Sequence, residues 1–161
     1  MTAFFIFSAK YLFVLPIVIL AIYFFMQPRR EWMRMAILAI ASAVLAYIVA
    51  KLCGMVYYDP RPFVVDNFTP LIAHAADNGF PSDHALLVSV VAMIGTIWEK
   101  KLGMWLWIIA ITVGIARVYV GVHHTTDVVG SAVIAIAATV TVHYVIKRHL
   151  QNRQKLPPPN L

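Results

Sequence analysis

Five long apolar runs constrain this chain more than anything else in it. They cover about residues 10–26 ("KYLFVLPIVILAIYFFM"), 34–53, 84–98, 102–120 and 127–146. A helix needs roughly 20 largely apolar residues to cross the hydrocarbon of a bilayer, and all but the third run approach or reach that length. The third is short and opens at a polar motif, which fits a helix whose N-terminus sits below the interface. Pro16 lies inside the first run and is expected to kink that helix without breaking it. Of the 161 residues, 61% are hydrophobic and 12% charged, whereas soluble domains carry about 45–50% and about 25%. The expected fold is all-α: a polytopic membrane helical bundle of about five transmembrane helices.

Charge then orients the bundle. The 13 Lys and Arg against 7 Asp and Glu form no basic stripe of the kind that reads nucleic acid. Five spans divide the connecting segments between two faces. One face receives Arg29, Arg30, Arg34, Lys100, Lys101, Lys147, Arg148, Arg153 and Lys155; the other keeps Lys10, Lys51, Arg61 and Arg117. Short cytoplasmic loops carry the Lys/Arg excess, so the N-terminus is expected outside and the C-terminus in the cytoplasm. Residues 1–146 read as one membrane-embedded domain and 147–161 as a polar cytoplasmic tail, with "NRQKLPPPNL" expected to fray. No small-residue cleavage site follows the first run, which therefore reads as a retained span. Cys53, the one cysteine, is expected to be a buried, inert thiol without a disulfide partner.

Everything chemically unusual falls on the outer face. "KLCGMVYYDPRPF" ends the second span, "GFPSDHALL" opens the third, and "RVYVGVHHTTD" joins the fourth to the fifth. Ionisable groups at membrane depth are costly and point to function. Arg61 stands between two prolines that restrict the backbone on both sides, and a guanidinium held this way suits bidentate contact with phosphate. Ser82 is a natural N-cap, so its Oγ and the amides of the first turn make an anion seat. Asp83 adds negative charge beside that seat, and His84 is a residue that an ordinary cap lacks. Asp127 follows His123 by one helical turn and can hold one imidazole nitrogen, leaving the other for a metal, a proton or a nucleophilic attack. His84, His123, His124 and Asp127 could also hold zinc. The absence of an HExxH pair or a Cys set, and the nearby arginines, favour an anion instead.

"RP", "PSDH" and "R-x5-H-x3-D", in this order, resemble the three-part signature of the type 2 phosphatidic acid phosphatase (PAP2) superfamily. Within it, "YYDPRPFVVDNFTPLIAHAADNGFPSDH" is most similar to the bacitracin-resistance type of undecaprenyl-diphosphate phosphatase, and the likeness covers roughly residues 10 to 146. The chain departs from the signature at two positions. Asp83 stands where many members have glycine, and Gly54 stands where the first motif usually has lysine, with Lys51 one turn earlier.

The resemblance implies a phosphohistidine mechanism. His123 attacks the terminal phosphorus, Asp127 orients that imidazole, and His84 protonates the departing oxygen and then activates water. Arg61, Arg117, Ser82 and Lys51, with Asp83 beside them, bind the phosphate, and no metal or cofactor is needed. The implied substrate is a polyprenyl diphosphate lipid, undecaprenyl diphosphate, cleaved to the monophosphate at the extracytoplasmic face of a bacterial cell membrane. Two rivals stand beside this: a phosphatase for phosphatidylglycerol phosphate or phosphatidate, and a non-catalytic metal-binding or transport protein. His124 is expected to be a hydrogen-bonded support and His143 structural, while His74 has no assigned part. The sequence gives no oligomeric state.

Overall fold

Each apolar run forms a helix in the computed structural model, which describes residues 1–154, with side chains through residue 152. The order is α1 (Thr2–Tyr11), α2 (Val14–Met26), α3 (Arg29–Val56), the short α4 (Pro62–Val65), α5 (Asp83–Trp98), α6 (Lys100–Tyr119) and α7 (Thr125–Gln154). Among the described residues the one piece of sheet-like pairing is an isolated antiparallel bridge between Pro60 and Asn78. Large apolar side chains such as Ile40, Trp105 and Val133 stand exposed along the helices. The chain is a multi-pass membrane protein, and its exposed apolar surface is the lipid-facing one.

The first run differs from its expectation. Its residues 14–26 form α2, while Lys10 and Tyr11 end a separate helix, α1, that starts at Thr2 ahead of the run, and the two helices are bent by 50° at Leu12 and Phe13. Pro16 causes a break and not a kink, because a proline ring collides with the carbonyl four residues earlier, here that of Leu12. Placed in the first turn of a new helix, Pro16 removes no bond, since those amides have no intrahelical acceptor. Leu15 N–H instead closes a tight turn onto Leu12 O at 3.1 Å.

Three helices, α3, α6 and α7, are each long and apolar enough to cross a membrane, and the bent pair makes a fourth if it counts as one span. The apolar α5 has 16 residues. At ~1.5 Å per residue it is roughly 24 Å long, shorter than a hydrocarbon core of about 30 Å. Helix α7 runs on to Gln154 instead of stopping near 146; Lys155 and the remainder of the terminal segment expected to fray lie outside the described residues.

Small residues let these helices approach closely, as membrane interfaces require. Ala46 and Ala50 of α3 pack with Leu86 and Val90 of α5 and with Ala135 and Ala138 of α7. Helices α5 and α6 form a hairpin that turns on Glu99, whose carboxylate accepts from Lys101 N–H at 3.1 Å. Helix α1 lies against α6, with Phe5 stacked on Tyr119 at 4.1 Å. The C-terminal ends of α3 and α6 and the N-terminal ends of α5 and α7 therefore meet at one end of the bundle, joined there by the loops that carry the polar clusters. Arg29, Arg30, Arg34, Lys100 and Lys101 lie at the opposite end, where the Arg34 guanidinium sits 5.3 Å above the Trp98 ring.

Candidate active site

At the polar end, chain geometry brings the three clusters around one cavity of about 430 Å³. Its wall includes Lys51, Arg61, His74, Asp83, His84, Arg117 and His123. Arg61 precedes Pro62, so its backbone is extended at φ −61° and ψ 151°. From that position its side chain reaches back into the bundle. Nε donates to Asp77 Oδ1 at 2.7 Å, Nη1 to Val122 O at 2.8 Å, and Nη2 to Asn78 O at 3.3 Å. Arg117 lies in the last turn of α6, where a cation suits the helix dipole. Its Nη1 donates to Ala9 O at 3.4 Å. It forms no ion pair among the described residues, although it is 3% exposed. A buried cation without a partner is expensive, so an anion is the ligand this wall is built to receive.

His123 sits between the two arginines. After α6 ends, Gly121 takes a left-handed turn at φ +81°, where an added Cβ would overlap the Phe68 ring. The chain then delivers Val122 and His123 into the site. Nδ1 of His123 lies 3.0 Å from Gly79 O and 3.3 Å from Asp127 Oδ2, and Nε2 lies 3.4 Å from Arg61 Nη1 and 3.3 Å from Arg117 Nη2. Carbonyl and carboxylate oxygens only accept and guanidinium only donates. The tautomer follows: Nδ1–H donates backward, and the Nε2 lone pair faces the two cations. Burial, followed by the charges of Arg117 and Arg61, holds the His123 imidazole below its ordinary pKa, although the hydrogen bond it donates to Asp127 pulls the other way. The ring is therefore neutral at neutral pH, which is the nucleophilic form.

Asp127 is fully buried behind His123. It is the third residue of α7, and its Oδ2 also accepts His124 N–H at 2.8 Å, closing the acidic half of a capping box. One carboxylate thus starts the helix and orients the imidazole. Its neighbour Ser131 donates to Ser82 O at 3.1 Å, which ties α7 to the start of α5.

His84, in the first turn of α5, is half-buried on the cavity wall with its ring edge-to-face with Phe13 at 4.8 Å. The break in the first run supplies that contact. Ser82 occupies the N-cap position of α5, but its side chain makes no capping bond, and its buried Oγ has no partner. Lys51 Nζ lies 3.9 Å from Asp83 Oδ1 and 5.1 Å from the Tyr47 ring centroid. At Gly54 an added Cβ would stand 3.1 Å from Phe80 O, so the loop before α5 occupies the space in which a side chain from that position would begin.

Sequence reasoning missed several participants in the loop between α4 and α5. Asn78 caps nothing regular but fastens the loop: Oδ1 accepts from Asp59 N–H and Phe80 N–H, and Nδ2 donates to Gly54 O and Tyr57 O. Gly79 offers its carbonyl to His123, and a Cβ there would stand 3.0 Å from Asp127 Oδ2. The Asn-Gly dipeptide was the available signal for a tight turn. Asp77 is held below its usual carboxylate range because, although burial pushes it up, the Arg61 hydrogen bond and charge outweigh that. His74 has its ring 6.0 Å from that of His123, and burial followed by Arg61 and Arg117 lowers its pKa. His124 turns away from the cavity, with Nε2 3.2 Å from Pro60 O. Among the described residues no three His, Cys, Asp or Glu side chains converge as metal ligands.

The bundle carries a cationic, histidine-centred cavity at one end, and the sequence profile of the PAP2 superfamily matches residues 33–151; the chain belongs to that superfamily. It is 37% identical over 122 residues to "Undecaprenyl-diphosphatase BcrC" of Bacillus subtilis, covering 74% of this chain and 61% of that protein. It is 32% identical over 140 residues to "Bacitracin transport permease protein BcrC" of Bacillus licheniformis, covering 86% of this chain and 68% of that one. Among solved structures, the crystal structure of LpxE from Aquifex aeolicus superposes with a TM-score of 0.69 at 23% identity, over 89% of this chain and 82% of that one. That likeness is one of fold.

Proposed function

We propose that this protein is a membrane phosphatase that hydrolyses undecaprenyl diphosphate to undecaprenyl phosphate and inorganic phosphate. The observation that carries the reading is the His123 Nε2 lone pair, fixed between two guanidinium groups with Nδ1–H tied to Gly79 O and Asp127. The name of the B. subtilis relative supports the substrate. A greasy bundle also suits it, since the polyprenyl tail stays in the bilayer while the diphosphate reaches the cavity.

Phosphoryl transfer depends chiefly on positioning and charge stabilisation. Arg61 and Arg117 hold the terminal phosphate, and Ser82 Oγ and Lys51 serve the diphosphate beside them. His123 Nε2 forms a bond to the terminal phosphorus as the bond from that phosphorus to the lipid-phosphate oxygen breaks. His84 gives its proton to the departing oxygen. Water then attacks the same phosphorus, His84 takes its proton, and the phosphorus–nitrogen bond breaks. Asp127 keeps the imidazole in its tautomer and offsets the charge it acquires. Each role is filled by a side chain, so the reaction we propose runs without a metal or cofactor.

The single phosphatase domain is residues 1–146, with five crossings, the N-terminus outside and the tail 147–161 in the cytoplasm. That orientation puts the cavity on the extracytoplasmic face of a bacterial cell membrane. The direct test is phosphate release from undecaprenyl diphosphate by detergent-purified protein in EDTA, with wild type and His123→Ala compared. The reading predicts release by wild type and none by the variant. Activity of wild type on phosphatidylglycerol phosphate or phosphatidate alone would overturn the substrate, and silence on every lipid phosphate would favour transport or metal binding.

A further inference from the structure

A second cavity, of about 320 Å³ and lined almost wholly by apolar groups, lies between α3 and α5 beside the first. Ala43, Ala46 and Tyr47 form one wall and Leu86, Leu87 and Val90 the other, with Asp83 shared by both cavities. Ala46 and Tyr47 sit one turn below Ala50 and Lys51 of the phosphate cavity, and Leu86 and Leu87 one turn below Asp83 and His84. A larger apolar groove of about 540 Å³ runs between α6 and α7, but it shares no lining residue with the phosphate cavity.

We infer that the α3–α5 groove is the subsite for the lipid tail of the substrate, entered through a portal that Lys51 and Asp83 span. The inference rests on the lipid diphosphate reading above. An amphipathic substrate needs a polar chamber and an apolar channel meeting at its phosphate–tail junction, and here they meet at Asp83. The groove is lined from Ala43 to Tyr47 on α3 and from Asp83 to Val90 on α5, the latter roughly 10 Å of helix at about 1.5 Å per residue. The portal pair is weak: its nitrogen and oxygen are 3.9 Å apart, with the two side chains 55% and 70% exposed. Exposed pairs of this kind hold little energy, so the pair opens at small cost. Lys51 Nζ then meets the phosphate nearest the tail, while the terminal phosphate continues to Arg61, Arg117 and His123.

The test compares full-length wild type with Ala43→Trp, Leu87→Trp and Val133→Trp. Ala43 and Leu87 face the α3–α5 groove from opposite sides, and Val133 faces the α6–α7 groove. Undecaprenyl diphosphate and water-soluble dimethylallyl diphosphate, whose tail is one isoprene unit, serve as substrates. We expect each α3–α5 variant to raise KM for the long lipid by roughly tenfold, a modest loss of binding free energy, with kcat nearly unchanged. Their hydrolysis of the short diphosphate should match wild type, which also reports an intact fold. Val133→Trp should leave both substrates unaffected. An unchanged KM for the long lipid, equal losses on both substrates in both groove variants, or the same split from Val133→Trp would overturn the assignment. A wild type inactive on both diphosphates would overturn the substrate reading itself and the tail subsite with it.

Discussion

Two guanidinium groups face one imidazole nitrogen in this protein, at 3.3 and 3.4 Å from His123 Nε2. That geometry is tolerable only while the ring is neutral, and it fixes the sign of the pH dependence. Burial, Arg117 and Arg61 lower the His123 pKa from its model-compound value of 6.5. The nucleophilic form therefore predominates above that value and is lost as pH falls through a midpoint below it. In a profile of kcat/KM against pH, the acid limb should have its midpoint below 6.5, and Arg61→Ala should move that midpoint upward. A limb that stays put in that variant would deny the electrostatic coupling. General acid–base catalysis contributes about 10²–10⁴-fold, so His84→Ala should lose that much in kcat. Asp77→Asn is a milder change, because Asp77 positions Arg61 through a side chain that is 62% exposed. Its kcat/KM should fall by at most about fivefold, as expected for an ion pair worth ~1 kcal/mol or less.

Helix ends do most of the positioning at the next scale. Asp127 is both the acid that caps α7 and the partner of His123, so the start of a helix and the orientation of a nucleophile are one event. The side chains whose chemistry is distinctive were legible in the sequence: Arg61, His84, Arg117, His123 and Asp127 all converge at the polar end. The backbone partners were not, because Gly79 O and Val122 O leave no mark of residue type, and no spacing rule ties Asp77 to an arginine 16 positions away. The break at Leu12 and Phe13 was written in Pro16, but four residues from the proline itself. Close helix packing supplies a stability prediction. A Cβ at Gly103 would overlap the Thr96 backbone across the α5–α6 hairpin. Overpacking typically costs about 1–3 kcal/mol, so Gly103→Ala should lower the thermal midpoint in detergent, and an unchanged midpoint would contradict that packing.

The whole molecule is a bundle with a cationic cavity at one end and basic side chains at the other. Hydropathy made the helices legible but not the number of crossings, since α5 has 16 residues and α1 and α2 meet at a bend of 50°. Local composition cannot say how a short or broken helix sits in a bilayer; its packing against neighbours decides. The proposed orientation predicts that, in a Cys53→Ala background, Thr69→Cys reacts with an impermeant thiol reagent on intact cells. His149→Cys should react only after the membrane is opened. The covalent intermediate on His123 tests the central claim most directly. His84→Ala protein should be quenched within its first turnover on undecaprenyl diphosphate labelled in the terminal phosphate. The account predicts acid-labile, base-stable label in the peptide that contains His123, and none when His123→Ala is added. Turnover with no label on His123, or label that survives that substitution, would contradict it.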